Sequence, residues 1–173
     1  NADRSLAEAG HRLSSVRGRD FSLRVARPGD YPAIYHFLTS VFQGPSASEF
    51  KASIEDPFCE PHDRLLIQHR SQIVAHAQLT HRSMQLGSLS IPVSGLHWMG
   101  AAPTVRGQGL GLDLLSAVEK RMADGGALVG LLSTSIPHFF RRSGWALCGR
   151  YCRSWAGARD VLAAMSAKGL HHG

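Results

Sequence analysis

The stretch Gly100–Leu115, GAAPTVRGQGLGLDLL, constrains this chain more than any other. Gly107, Gly109 and Gly111 alternate through a segment that carries one arginine, Arg106, and no acid between Ala101 and Leu112. The apolar run LSIPVSGLHWMGAAP ahead of it reads as a strand. Behind it Leu110, Leu114, Leu115, Val118 and Met122 recur at helical spacing, and Gly125-Gly126 ends the pattern. A strand that passes through bare backbone into a helix start leaves several N–H groups without partners, beside the positive end of the helix dipole. Glycine lets an anion approach that backbone closely, so a pyrophosphate is the expected ligand, with Arg106 adding a fixed charge.

Two nucleotide motifs are excluded. A Walker loop needs Gly-Lys followed by Ser or Thr, whereas Gly111 is followed by Leu112-Asp113. A dinucleotide fingerprint belongs to a first βαβ unit, whereas this loop comes late, after a run of strands.

Elsewhere FSLRV alternates from Phe21 to Val25 and stops at Pro28-Gly29, predicting a first strand. Asp30 is the expected cap of a helix with Pro32 in its first turn and Ile34, Phe37, Leu38, Val41 and Phe42 on its apolar face. Ser46 or Ser48 opens a second short helix ending near Pro57. RLLIQHR and QIVAHAQLTHRSMQL predict two antiparallel strands with Ser71-Gln72 at the turn, and Gly95 and Gly100 mark bulges or close approaches in the next strand. ALVGLLST reads as a strand buried on both faces, PHFFRRSG as a helical turn stopped by Gly144, and WALCGRYCRSW as a last strand. Val161, Leu162 and Met165 give the tail helical spacing. The expected organisation is an N-terminal arm over 1–19, one domain over 20–155 and a helical tail over 156–173. The order of elements is α+β, not a doubly wound βαβαβ fold.

Composition narrows the function. With 173 residues, 43% of them apolar, one compact core is expected. No run of eighteen apolar residues exists, and the charged first thirty residues lack a signal-peptide core, so the reading is cytoplasmic, without a membrane partner. Cys59, Cys148 and Cys152 form no CxxC pair and no zinc spacing; they read as free buried thiols, and no metal is expected. The net charge of +6 is spread without a basic run, and aromatics are not interleaved with it, so nucleic acid is not the expected partner.

Arg106, Gly109 and Gly111 form R-x-x-G-x-G, with Pro103 three residues earlier. This resembles the acyl-CoA motif of the GNAT (Gcn5-related N-acetyltransferase) superfamily. PHFFRRSGW stands where that superfamily has a short helix before its last strand, and the element order from Phe21 to about Trp155 is similar throughout. The stretch THRSMQLGSLSIPVSGLHWMGAAPTVRGQGLG is similar to the Eis-like branch, bacterial acetyltransferases of amine-bearing compounds.

The resemblance implies an α/β/α layered fold with a mixed, mostly antiparallel sheet, splayed central parallel strands and flanking helices. It implies acetyl-CoA as co-substrate and direct transfer of its acetyl group to a primary amine within a ternary complex. The pantetheine arm would pair with Met99, Gly100 and Ala101, whose last N–H would face the thioester oxygen. Arg106, Gly107, Gln108, Gly109, Leu110, Gly111 and Leu112 would hold the pyrophosphate, and Ser135 and Ile136 would touch the pantetheine. His97 is the candidate base, since alternation turns His97, Met99 and Ala101 toward one face. Where many members carry a tyrosine that protonates the leaving thiolate, this chain has Phe140, with His138, Ser135 or Tyr151 as substitutes that nothing selects.

Five of the thirteen acids, Glu49, Glu55, Asp56, Glu60 and Asp63, lie around the second helix, beside the acceptor site the resemblance implies. They suit a cationic acceptor, small molecule or peptide. Phe42, Phe50, Phe58 and Trp98 would form an apolar wall. Homo-oligomer formation is compatible with the sequence, and a non-catalytic acyl-CoA-binding or regulatory domain is the alternative reading.

Overall fold

The computed structural model describes residues 11–12, 21–148, 159 and 163. The chain forms two compact units, residues 1–133 and 134–173.

The first unit is built on one sheet whose spatial order follows the chain. It comprises β1 (His11–Arg12), β2 (Phe21–Val25), β3 (Arg64–His69), β4 (Gln72–Leu86), β5 (Leu89–Ala101) and β6 (Val129–Leu132). All neighbours pair antiparallel except β5 and β6, which are parallel. The two-residue β1 lies in the segment expected as an arm and pairs with Ser22 and Leu23.

The β3–β4 hairpin turns at Arg70-Ser71, one residue before the expected Ser71-Gln72. Both residues have positive φ, 47° and 69°, the two-residue turn whose twist matches that of the strands.

Helices α1 (Tyr31–Phe42) and α2 (Ala47–Glu55) cover one face of the sheet. Ile34, Phe37, Leu38 and Phe50 bury with Leu66 of β3 and Ala26. Ser46 caps α2 in a reciprocal box with Glu49, as its spacing predicts. Asp30 is the N-terminal cap residue of α1, as expected, but its side chain makes no cap bond to the helix. Its carboxylate instead takes both Arg24 Nη atoms at 2.7 Å and the Arg27 N–H at 2.7 Å, because a guanidinium fork outcompetes a single amide.

Helix α3 (Leu110–Asp124) covers the opposite face, burying Leu110, Leu114, Leu115, Val118 and Met122. Alternation puts Leu65, Ile67, Ala75, Ala77 and Leu79 on that side, all buried. The result is helix, sheet, helix in three layers: an α+β fold with a mixed sheet.

Strand β6 is not buried on both faces. Val129 and Leu131 are 37% and 38% exposed. Among the described residues β6 pairs along one edge only.

In the second unit a short α4 (Pro137–Arg141) ends at Gly144, whose φ is +88°. Trp145–Cys148 are irregular rather than the start of a strand, since the Trp145 N–H is held by the Phe140 carbonyl at 3.3 Å. The rest of that expected strand, Cys152 and Tyr151 lie outside the described residues. Cys148 is exposed and Cys59 half-buried, so neither is the buried thiol expected. Of the expected tail helix Arg159 and Ala163 are described, both helical.

Candidate functional site

The glycine segment is a cradle at the start of α3. Gly107 and Gly109 have φ of +75° and +87°, and a Cβ added at either would meet nothing within 4 Å. Gly109 is the N-terminal cap residue of α3, with no side chain turned onto the helix. The N–H groups of Leu112 and Asp113 turn back to the Gly109 carbonyl at 2.9 and 3.1 Å. Among the described residues those of Gly107, Gly109, Leu110 and Gly111 meet no backbone acceptor. They are the donors that an anion at this helix start would use.

The strand leading into the cradle has an open edge. Parallel pairing of β5 with β6 runs from Val93↔Val129 to Leu96↔Leu132 and stops, so His97–Ala101 have no partner on that side among the described residues. On the other side, the Ala102 N–H bonds the Val74 carbonyl at 2.8 Å, and Gly100 pairs with His76. In an antiparallel ladder these alternate positions spend their peptide groups on the neighbour, so the groups of Ala101 point away from β4. Arg106 Nε reaches the Ala101 carbonyl at 3.3 Å on that outer side. The Ala101 N–H faces the same gap.

A bulge sits just before this edge. The register shifts between His76 and Gln78, leaving Trp98 and Met99 opposite Ala77. Trp98 is left-handed, φ +48°, and its carbonyl accepts from His76 Nδ1 at 2.9 Å. Burial pushes the His76 pKa down to about 3, with the Arg64 charge lowering it further and the Trp98 bond opposing the shift, so the ring is neutral.

The extra residue also corrects the expected alternation. His97 lies opposite Gln78 and Ala101 opposite Ala75, so His97 and Ala101 are on different faces. The His97 ring leans back over Gly95 to place Nε2 3.1 Å from Thr80 Oγ1. A Cβ at Gly95 would sit 2.8 Å from that nitrogen, and one at Gly100 would sit 2.5 Å from Cζ of Phe42. Both glycines therefore mark close approaches.

On the α1–α2 face a cavity of about 130 Å³ lies beside the bulge. Phe50 and Trp98 give it apolar walls, and Glu49, Ser53, Arg64 and Gln78 give it polar ones. Phe42 backs Trp98 edge-on, with ring centres 5.5 Å apart. Phe58 is not part of the wall; it is 70% exposed, under the Arg82 guanidinium. Of the five clustered acids, Glu49 lines the cavity. Glu55 faces Lys51, Asp56 pairs with Arg82 at 3.1 Å, the exposed Glu60 opens a 3-10 turn, and buried Asp63 lies 3.3 Å from His81 Nε2.

The model of the acetyltransferase (GNAT) domain family matches residues 22–148, well over half of the chain. The chain belongs to the GNAT acetyltransferase family.

It is thus an acyltransferase by family, and solved GNAT structures share its fold. An acetyltransferase from Trypanosoma brucei superposes with a TM-score of 0.64 at 21% identity, over 79% of this chain and 100% of that one. A GCN5-related N-acetyltransferase from Kribbella flavida gives 0.65 at 22% identity, over 73% of this chain and 33% of that one. An aminoglycoside N-acetyltransferase solved in complex with CoA gives 0.63 at 14% identity, over 81% and 97%. Among curated protein sequences none matches this chain significantly.

The sequence-derived site residues fall in two units. Met99, Gly100, Ala101 and residues 106–112 gather where β5 meets α3 in the first. Ser135 and Ile136, both exposed, precede α4 in the second, where the Ile136 N–H bonds Thr134 Oγ1 at 3.0 Å. Phe140 is packed edge-on against Phe139 and Trp145, with ring centres 5.0 and 6.1 Å away. Sequence reasoning reads His76 as exposed or structural, and it is a buried support of the bulge; Arg64 is missed as part of the cavity wall. Their only signal was a polar residue recurring inside strands that otherwise read as apolar. Among the described residues no three His, Cys, Asp or Glu side chains are grouped to hold a metal ion, and no helix is long and apolar enough to cross a membrane.

Proposed function

We propose that this chain moves an acetyl group from acetyl-CoA to a primary amine by direct transfer within a ternary complex. One observation carries the reading: the outward-facing Ala101 peptide leads toward a run of backbone amides, those of Gly107, Gly109, Leu110 and Gly111, that meet no backbone acceptor among the described residues. That run suits a long, polar, doubly charged cofactor, and the space over both glycines gives its phosphates room.

Acetyl-CoA would supply an activated acyl carbon, whose C–S bond breaks as the amine nitrogen bonds to it. Residues 106–112 hold the diphosphate, with Arg106 supplying positive charge beside it. Met99, Gly100 and Ala101 align the pantetheine, the Ala101 N–H steadies the carbonyl oxygen as charge builds on it, and Ser135 and Ile136 match positions that touch the pantetheine in the superfamily.

His97 accepts the proton that the ammonium must lose. Its pKa is lowered by partial burial and then by the Arg82 charge, so the ring is neutral and receptive at pH 7. It shares a sheet face with Gln78, which lines the cavity, and the proton passes to it through water. Glu49 is a poor base. Its bonds from Ser46 lower its pKa, and it serves as a fixed negative charge that draws a cationic amine, small molecule or peptide. No phenol stands at Phe140, so the thiol leaves as thiolate and takes its proton from solvent. The resemblance of residues 80–111 to the Eis-like branch supports an acceptor among amine-bearing compounds.

Phe140 also favours a second reading, a domain that binds acyl-CoA without turning it over. Two measurements separate them. Calorimetric titration with acetyl-CoA yields binding in both, and thiol release with a panel of amines appears only for the enzyme. Arg106→Glu weakens acetyl-CoA binding; unchanged affinity in that variant counts against the cradle.

A further inference from the structure

We infer that the cavity beside Trp98 recognises an acceptor that carries a carboxylate as well as its amine, with Arg64 binding the carboxylate. The inference rests on the acetyl-transfer reading and names the acceptor class for that site.

Arg64 opens β3 and is 1% exposed, yet it lines the cavity. Its Nη2 donates to Ser53 Oγ at 3.0 Å, its Nη1 lies 3.5 Å from His76 Nε2, and its Cζ sits 5.4 Å over the Phe50 ring. None of these groups carries negative charge. A guanidinium offers five N–H donors, and these contacts use two.

Among the described residues no carboxylate comes within 4.0 Å of Arg64. The adjoining Asp63 is turned away, to His81 and the Glu60 N–H. His76 cannot supply the missing charge, being a neutral ring. Cys59, Tyr31 and Asp63 act on the Arg64 charge from farther off, but none pairs with it; a buried cation without a paired anion is costly, and folded chains retain one where a ligand or partner neutralises it. Burial indeed lowers the Arg64 pKa.

The cavity gives this cation a use. At about 130 Å³ it is close to the ~150 Å³ void that takes a six-carbon ring, the size of a small amino acid. Carboxylate is the group whose geometry matches a guanidinium fork. At the same cavity Glu49 is exposed and held anionic, complementary to an ammonium. A site with a buried cation and an exposed anion fits a zwitterion, and it disfavours a purely cationic polyamine, which would bring positive charge onto Arg64.

The test compares acceptors that differ only in this charge. Thiol release from acetyl-CoA is followed with free α-, β- and γ-amino acids and with the carboxamide of each. Amino acids are expected to show kcat/KM about 10–100-fold above their carboxamides, as a charged hydrogen bond would give. Arg64→Met is expected to erase that preference while acetyl-CoA affinity stays the same. Carboxamides that react as well as the acids, no reaction with any amino acid, or a preference that survives in Arg64→Met each overturn the inference. The wild-type comparison stands even where Arg64→Met does not fold. Absence of thiol release with every amine tried, simple amines without a carboxylate included, marks failure of the acetyl-transfer reading instead.

Discussion

His76 Nδ1 donates to the Trp98 carbonyl across 2.9 Å, and this bond pins a left-handed tryptophan inside a strand. A non-glycine residue at positive φ costs roughly 1–3 kcal/mol, and it persists where its surroundings over-determine it. Here the surroundings are the buried imidazole on one side and the Phe42 ring on the other. The kink inserts one residue into β5, turns His97 and Ala101 to opposite faces and brings the indole to the cavity wall.

Burial of the His76 ring makes stability depend on pH. His76 has a folded pKa of about 3 against the ordinary 6.5, so the unfolded chain binds the extra proton first. Its contribution is complete above pH 6.5 and is lost as pH falls toward 3, at about 1.4 kcal/mol per pH unit. Urea denaturation between pH 7 and 4.5 is expected to show this slope in the wild type and a shallower one in His76→Leu. Equal slopes would mean the ring is not buried neutral.

Gly109 is where a side chain conflicts with both conformation and ligand. Gly109→Val forces a branched residue to φ near +87° and fills the mouth of the cradle. Acetyl-CoA affinity is expected to fall at least ~10-fold, measured calorimetrically, with Gly109→Asn less affected because asparagine tolerates the left-handed region.

His97→Ala is expected to lower kcat by roughly 10²-fold while leaving acetyl-CoA affinity unchanged, the usual scale for a positioned base. The acid limb of the kcat profile, set by a histidine pKa below 6.5, should disappear with it. A rate and profile equal to the wild type would restrict His97 to its contact with Thr80.

Phe140→Tyr restores a phenol where many family members place one. Acetyl-CoA affinity is expected to hold, and kcat to rise as the leaving thiolate gains a proton donor. A large loss of affinity would show that the residue is not where the motif alignment puts it.

The periodic parts of the chain were legible in advance. Phe21–Val25, the helix faces around Ile34 and Leu114, a serine cap at Ser46 or Ser48 and the glycine turn into the helix at Leu110 all rest on neighbours within a few residues. The misread parts depend on partners distant in sequence. Among the described residues β6 pairs along one edge only, and the face of His97 is decided by a bulge that answers to His76, 22 residues from Trp98.

Local order thus determined which segments are strands and helices, where the bare backbone falls, and that a helix start follows it, because those outcomes depend on dihedral preference and spacing along the chain. Only the folded arrangement decided that Arg64, Ser53, Gln78 and Trp98 meet around one cavity and that, among the described residues, no carboxylate pairs with Arg64. Burial and long-range pairing set those outcomes, and neither has a value until the strands from 64 to 101 lie side by side.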